Sequence, residues 1–266
     1  MPLFKAAALQ INATPDIDCN LAQSAEWIGQ AADAGADLIV LPENFSFLGP
    51  ESEKLERADE IEGRSETFLR QQAVATGSVI VGGGFAVPSP GGKTFNRALV
   101  TGPSGDLATY DKIHLFDVEL PGKRFRESDT VTPGNEIITT QVDNLGTLGV
   151  SICYDLRFPE LYRELAGRGA TTLLIPAAFT AFTGAAHWRL LVCARAVENT
   201  CFVIAANQCG VHFGDRSSYG YSLIVDPWGE ILAEAGEGPG YITATIDSSR
   251  LADIRQRVPS LSHRRL

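Results

Sequence analysis

The chain has 266 residues, of which 44% are hydrophobic and 20% charged, and its formal net charge is −10. That balance fits a soluble globular protein and excludes a disordered one, while the excess of acid works against nucleic-acid or anionic-membrane partners. The five cysteines (Cys19, Cys153, Cys193, Cys201 and Cys209) are odd in number and contain no CxxC pair, so they read as free thiols of a reducing compartment, and a cytoplasmic protein is expected.

Residues 6–11 read as a first strand, with too little charge and apolar length for a signal peptide. No later run approaches a membrane span. Asn20 is placed to cap a helix in which Leu21, Ala25, Ile28 and Ala32 recur at helical spacing, with Gly35 at its end. Residues 37–41 (DLIVL) form a short buried strand. Ser65 is placed to cap a second helix, SETFLRQQAVA, stopped at Gly77. Four strand-like runs follow: SVIVGGGFAV, FNRALVT, LATYDKI and GTLGVSI. Gly82-Gly83-Gly84 lacks the ending of a phosphate loop and reads as close backbone packing. Residues 114–135 form a loop of a length that usually serves function.

The second half repeats this rhythm. A helix around 159–167 precedes the strand TTLLIPAAF. A helix from 186 to about 199 precedes CFVIAANQ. The hairpin YSLIVDPWGEILAEA turns at 226–229, GYITATID is a last strand, and SRLADIRQRVP a terminal helix. No linker is visible. One α/β domain over residues 1–266 is expected, a sheet-rich sandwich covered by helices.

Three apolar strands end abruptly on a reactive residue: 38–41 before Glu43, 107–110 before Lys112 and 148–152 before Cys153. Ligand sites in α/β sheets gather beyond the carboxyl ends of strands. Singly, each residue has a plainer reading, as a solvated loop acid, a surface lysine and a small buried hydrophobe. Together they make coherent chemistry. A nearby lysine lowers a thiol's pKa, a carboxylate takes the thiol proton, and an ammonium with a backbone N–H stabilises a tetrahedral oxyanion. Such a set suits attack on a carboxamide or nitrile carbon.

The segments LPENF, DKIHLFDVELPG, FRES, GVSICYDLRFPELYR, AAFTAFTGAAHWRLLVCARAVEN and SYGYSLIVDPWGE resemble the signature blocks of the nitrilase (carbon–nitrogen hydrolase) superfamily, in the family's order and over nearly the whole chain. The resemblance implies an αββα sandwich of two mostly six-stranded sheets, and a homodimer or dimer-based oligomer. It implies Glu43 as general base, Lys112 as oxyanion-stabilising lysine and Cys153 as nucleophile. Glu127 is implied as a second glutamate beside them, and the Tyr154 N–H as the other half of the oxyanion hole.

Within the superfamily the chain is most similar to the Nit-type amidases of small α-keto acid amides. The Gln208-Cys209-Gly210 and Ser218-Tyr219-Gly220 blocks favour deaminated glutathione as substrate over the 2-oxoglutaramate of ω-amidases. An N-carbamoyl amino acid or aliphatic amide hydrolase, and a non-catalytic scaffold, are the alternatives. Arg157, four residues after Cys153, is expected to return toward the nucleophile and hold the substrate carboxylate in bidentate fashion. The plainer reading pairs it with Glu160 or Glu164. Phe179 and Thr183 match positions that line the pocket, and Phe182 reads equally well as core. The four histidines lack metal-ligand spacing, so neither metal nor cofactor is expected. Arg189, Arg195 and Glu198 read as a structural ion-pair set.

Overall fold

The computed structural model describes residues 3–265. The first half runs β1 (Leu3–Gln10), α1 (Ile17–Asp33), β2 (Leu38–Val40), α2 (Glu51–Glu56), α3 (Ala58–Thr76), β3 (Val79–Ser89), β4 (Lys93–Gly102) and β5 (Gly105–Asp111). A small hairpin follows, β6 (Asp117–Leu120) and β7 (Lys123–Arg126). The second half runs β8 (Thr139–Val142), β9 (Gly146–Val150), α4 (Pro159–Gly167), β10 (Thr172–Leu174), α5 (Ala181–Asn199) and β11 (Phe202–Ala205). It closes with a second hairpin, β12 (Cys209–Phe213) and β13 (Arg216–Tyr219), then β14 (Leu223–Val225), β15 (Ile231–Glu234), β16 (Gly240–Asp247) and α6 (Ser248–Arg257).

Two six-stranded sheets result, ordered β16-β1-β2-β3-β4-β5 and β15-β14-β11-β10-β9-β8. Each centre is parallel, and parallel neighbours need a crossover. Helices supply it, α1 and α3 on one sheet, α4 and α5 on the other. The period-two pattern shows why both faces of a sheet are buried. In β1, Ala6 and Ala8 face the core between the sheets, while Ala7 and Leu9 face Ile28 of α1 and Leu69 of α3. The result is the expected αββα sandwich.

Several local expectations fail for identifiable reasons. Asn20 does not cap α1. Asp16 does, accepting from the Cys19 N–H at 3.0 Å, and Asn20 is buried inside the first turn, donating to the Ser46 carbonyl at 2.9 Å. Ser65 lies in the middle of α3, its hydroxyl 2.7 Å from that of Ser46. Both polar residues serve tertiary contacts that look like caps in the sequence. Helix α5 starts at Ala181, capped by Thr180, five residues before position 186. Phe182 is 65% exposed and is not core. The loop over 114–135 contains the β6–β7 hairpin. Arg195 pairs with Glu198 at 2.6 Å, but Arg189 reaches Glu234.

The glycine run packs closely, as read. A Cβ on Gly83 would lie 1.9 Å from the Pro176 ring, so only glycine lets the two sheets approach where β3 passes the end of β10. Gly84, at φ +62°, would press a Cβ to 2.7 Å from the Glu43 side chain.

His212 ties β12 to the rest of the fold. Its Nδ1–H donates to the Ala13 carbonyl at 2.8 Å, and its Nε2 accepts from the Ser218 hydroxyl at 2.9 Å. Burial, helped by the nearby charge of Arg216, pushes the imidazole down to about 4 from 6.5. Between those values the unfolded chain binds the extra proton. Stability is therefore full above pH 6.5 and falls as the pH drops toward 4, by about 3 kcal/mol from this group. His212→Gln should lose less stability than the parent between pH 7 and pH 4.5 in urea titrations. An equal loss in both would refute the assignment.

Candidate active site

Glu43 follows β2, Lys112 follows β5, Cys153 follows β9 and Ala178 follows β10, all at one end of the sandwich. Glu127 enters from the short turn after β7. The Lys112 ammonium is the centre of the group. It donates to Glu43 Oε1 at 2.9 Å and to both oxygens of Glu127 at 3.0 and 2.9 Å. Asn96 of β4 donates to the same two carboxylates at 2.9 and 3.1 Å. The remaining oxygen of Glu43 accepts from the Ala178 N–H at 2.9 Å, and the Cys153 thiol lies close enough to this carboxylate for each to shift the other's pKa.

Lys112 and Glu43 are nearly sealed from solvent. Burial alone would discharge both. It pushes Glu43 up, but the Lys112 charge and hydrogen bonds from Cys153, Lys112 and Asn96 hold the carboxyl below its ordinary range. Burial likewise pulls Lys112 down, and Glu127 and Glu43 together hold it well above its ordinary value. The thiol is different. Burial and the adjacent Glu43 charge push Cys153 well up, and Lys112 only partly opposes them. Lys112 does lower the thiol pKa, as expected, but burial and Glu43 outweigh it. Two carboxylates already surround one ammonium, so a further anion there is unfavourable. The resting pair is a thiol on a carboxylate, and the proton must move as the sulfur attacks.

Cys153 sits in the left-handed region at φ 49°, which costs a non-glycine residue about 1–2 kcal/mol. Two tethers hold it there. Its N–H donates to the Pro176 carbonyl at 2.8 Å, and the preceding Ile152 N–H donates to Asp155 at 2.9 Å. A single 3-10 turn runs from Cys153 to Arg157. Tyr154 is its second residue, so its N–H belongs to the first turn, where helical N–H groups have no partner within the helix.

A cavity of about 420 Å³ opens above the thiol. Phe179 and Thr183 line it, as do Tyr154 and Phe116. Arg157 is not among its lining residues. Its guanidinium packs 5.0 Å from the Phe179 ring centre and 5.8 Å from that of Tyr154, and lies 3.4 Å from His187. It is paired with neither Glu160 nor Glu164.

Three residues here escaped the sequence reading, and a fourth, Gln208, was read only as part of a substrate-class block. Asn96 bridges the carboxylates. Its signal was a polar residue on the inward face of β4, in step with Ala98 and Val100. Asp155 is fully buried. It accepts from the Tyr110 hydroxyl at 2.7 Å and the His114 N–H at 3.0 Å, joining the segment that carries Lys112 to the turn that carries Cys153. Asn207 and Gln208 follow the apolar strand β11, the same signal that marked Glu43. Asn207 accepts from the Phe179 N–H at 2.9 Å, and Gln208 donates to the Glu43 carbonyl at 3.0 Å.

Comparison with known proteins bears on this geometry. The carbon–nitrogen hydrolase family model matches residues 5–256. The chain is 49% identical to a protein of Synechocystis named deaminated glutathione amidase, with 99% of each chain covered. It is 38% identical to an omega-amidase of Danio rerio, over 100% of this chain and 96% of that one. The crystal structure of the C. elegans NitFhit protein superposes with a TM-score of 0.94 at 36% identity, covering all of this chain and 66% of that one.

Replacing Glu43 by Gln removes the charge that raises the thiol while Lys112 remains. The pH profile for iodoacetamide alkylation of Cys153, followed by peptide mass spectrometry, should move to lower pH. Amide hydrolysis should fall about a hundredfold or more. A profile moving upward would contradict the electrostatic account.

Proposed function

The chain belongs to the carbon–nitrogen hydrolase family, and from that premise we propose that it hydrolyses a carboxylate-bearing α-keto acid amide, deaminated glutathione, through a thioester on Cys153. The observation that carries this reading is the thiol held against a buried carboxylate that Lys112 shares.

Each step draws on a named group. Glu43 takes the thiol proton as sulfur attacks the amide carbon. The oxyanion is stabilised by Lys112 and the Tyr154 N–H. As the intermediate collapses, Glu43 returns the proton to the leaving nitrogen and Cys-Gly departs. Glu43 then deprotonates water, which attacks the thioester and releases 2-oxoglutarate and the thiol. Glu127 and Asn96 keep Glu43 and Lys112 in register. Phe179 packs on the acyl chain and Thr183 offers it a hydroxyl. Arg157, the cation next along the chain from the thiol, is our candidate for the keto-acid carboxylate.

Relatives named for deaminated glutathione and for ω-amidase activity both support an amide of a short keto acid. The higher identity, over 99% of both chains, favours the first. The odd set of free thiols suits a cytoplasmic setting, and no helix among the described residues is long and apolar enough to cross a membrane.

We also propose that the chain pairs with a second copy through α5. Phe182, Leu190 and Val197 share one face of that helix and are 65%, 69% and 49% exposed, with Trp228 exposed as well. Leu190→Asp should convert a dimer to a monomer in sedimentation equilibrium. A parent that sediments as a monomer would dismiss this interface.

For the reaction, Cys153→Ala should abolish product release and leave the thermal midpoint within a few degrees. In competition, deaminated glutathione should show the higher kcat/KM. Turnover of N-carbamoyl amino acids without turnover of keto-acid amides would exclude the proposed substrate class.

A further inference from the structure

The floor of the cavity is Glu43, Lys112 and Cys153, all buried, whereas its rim carries most of its exposed charge. Two hairpin tips and α2 build that rim. Lys123, beside the β6–β7 turn, holds Asp215 of the β12–β13 turn at 2.7 Å. Most rim cations are already matched to an acid. Besides Lys123, Lys54 faces Glu51 at 2.9 Å, Arg124 faces Glu119 at 3.7 Å and Arg126 faces Asp117 at 3.9 Å.

Arg216, the first residue of β13, differs. Among the described residues no carboxylate lies within ion-pair distance of it. Glu51 is near enough to feel its charge but is engaged by Lys54 and by the Thr130 hydroxyl at 3.0 Å. The Arg216 guanidinium carbon instead lies over the Phe125 ring, 4.8 Å from its centre, and both residues line the cavity. An aromatic platform fixes the plane of a guanidinium while leaving its N–H edge free to make a bidentate bond.

We propose that Arg216 is a specificity-determining residue that binds a carboxylate on the amine half of the substrate, so that the site selects amides whose leaving group is a short peptide with a free carboxyl terminus. This rests on the amidase reading above. A primary amide ends at its nitrogen and leaves the rim unfilled. An amide of Cys-Gly continues outward from the thiol, and its terminal carboxylate is the group a rim cation can meet. In a chain of net charge −10, an uncompensated guanidinium also supplies the local attraction that a doubly anionic substrate requires.

The test compares deaminated glutathione with 2-oxoglutaramate, which share the acyl half, and adds a deaminated glutathione analogue whose terminal carboxyl is a carboxamide. Arg216→Gln should lower kcat/KM for deaminated glutathione roughly ten- to a hundredfold, mainly through KM, as expected for a lost charged hydrogen bond. The loss should be confined to that substrate. The analogue should be hampered with the parent enzyme by a similar factor and suffer no further loss with the variant. Arg216→Lys should recover part of the activity. Arg157→Ala serves as the contrast, raising KM for both substrates alike. An equal effect of Arg216→Gln on both substrates, or none on deaminated glutathione, overturns the proposal while the amidase reading stands. A parent enzyme that hydrolyses neither amide overturns both.

Discussion

Lys112 carries its ammonium to a place where only 2% of the side chain is exposed, and Glu43 and Glu127 meet it there at 2.9 Å. A buried charge is tolerated only when paired and hydrogen-bonded. Here one cation serves two carboxylates, and Asn96 adds its amide hydrogens to both. Remove the lysine and two acids are left facing each other without water. The same arithmetic of charge decides the state of the thiol. The cluster is already anionic, so Cys153 stays protonated until a substrate gives the negative charge somewhere better to go.

The scaffold is organised to keep this cluster from relaxing. Glu43 is tied through its side chain to Ala178 and through its backbone to Gln208. Asp155 gathers Tyr110, His114 and Ile152, so the lysine segment and the cysteine turn cannot drift apart. Glycine at 83 lets the two sheets close, and glycine at 84 leaves room for the Glu43 side chain. The strain at Cys153 persists because Pro176 and Asp155 fix the backbone at this residue and the one before it. These contacts are long-range in sequence and short in space, as preorganisation requires.

Floor and rim divide the work. The floor is sealed, internally compensated and built from strand ends, which suits chemistry that any amide could undergo. The rim is built from hairpin tips and a short helix, carries most of the exposed charge and leaves Arg216 uncompensated. On the proposed reading, selectivity among amides is a property of the rim and of the residues that pack on Phe179, while the bond-breaking set is common to whatever fits.

By itself the sequence determined the alternation of strands and helices, because side-chain periodicity and helix stops act over a few residues. Glu43, Lys112 and Cys153 were visible because each interrupts an apolar run at a strand end. Glu127 was visible only through family resemblance, since its own segment is charged throughout. The tertiary structure alone decided that Asp16 and not Asn20 caps α1, because Asn20 is taken by Ser46 from another segment. It alone enlisted Asn96 and Asp155, whose partners lie tens of residues away. It set the net shift of the thiol upward against the pull of Lys112, because burial and the sum of nearby charges exist only once four strand ends converge. And it separated Arg157, packed on the Phe179 and Tyr154 rings, from Arg216 at the rim, packed on Phe125, a distinction that depends on which rings fold into reach of each cation and that no local pattern encodes.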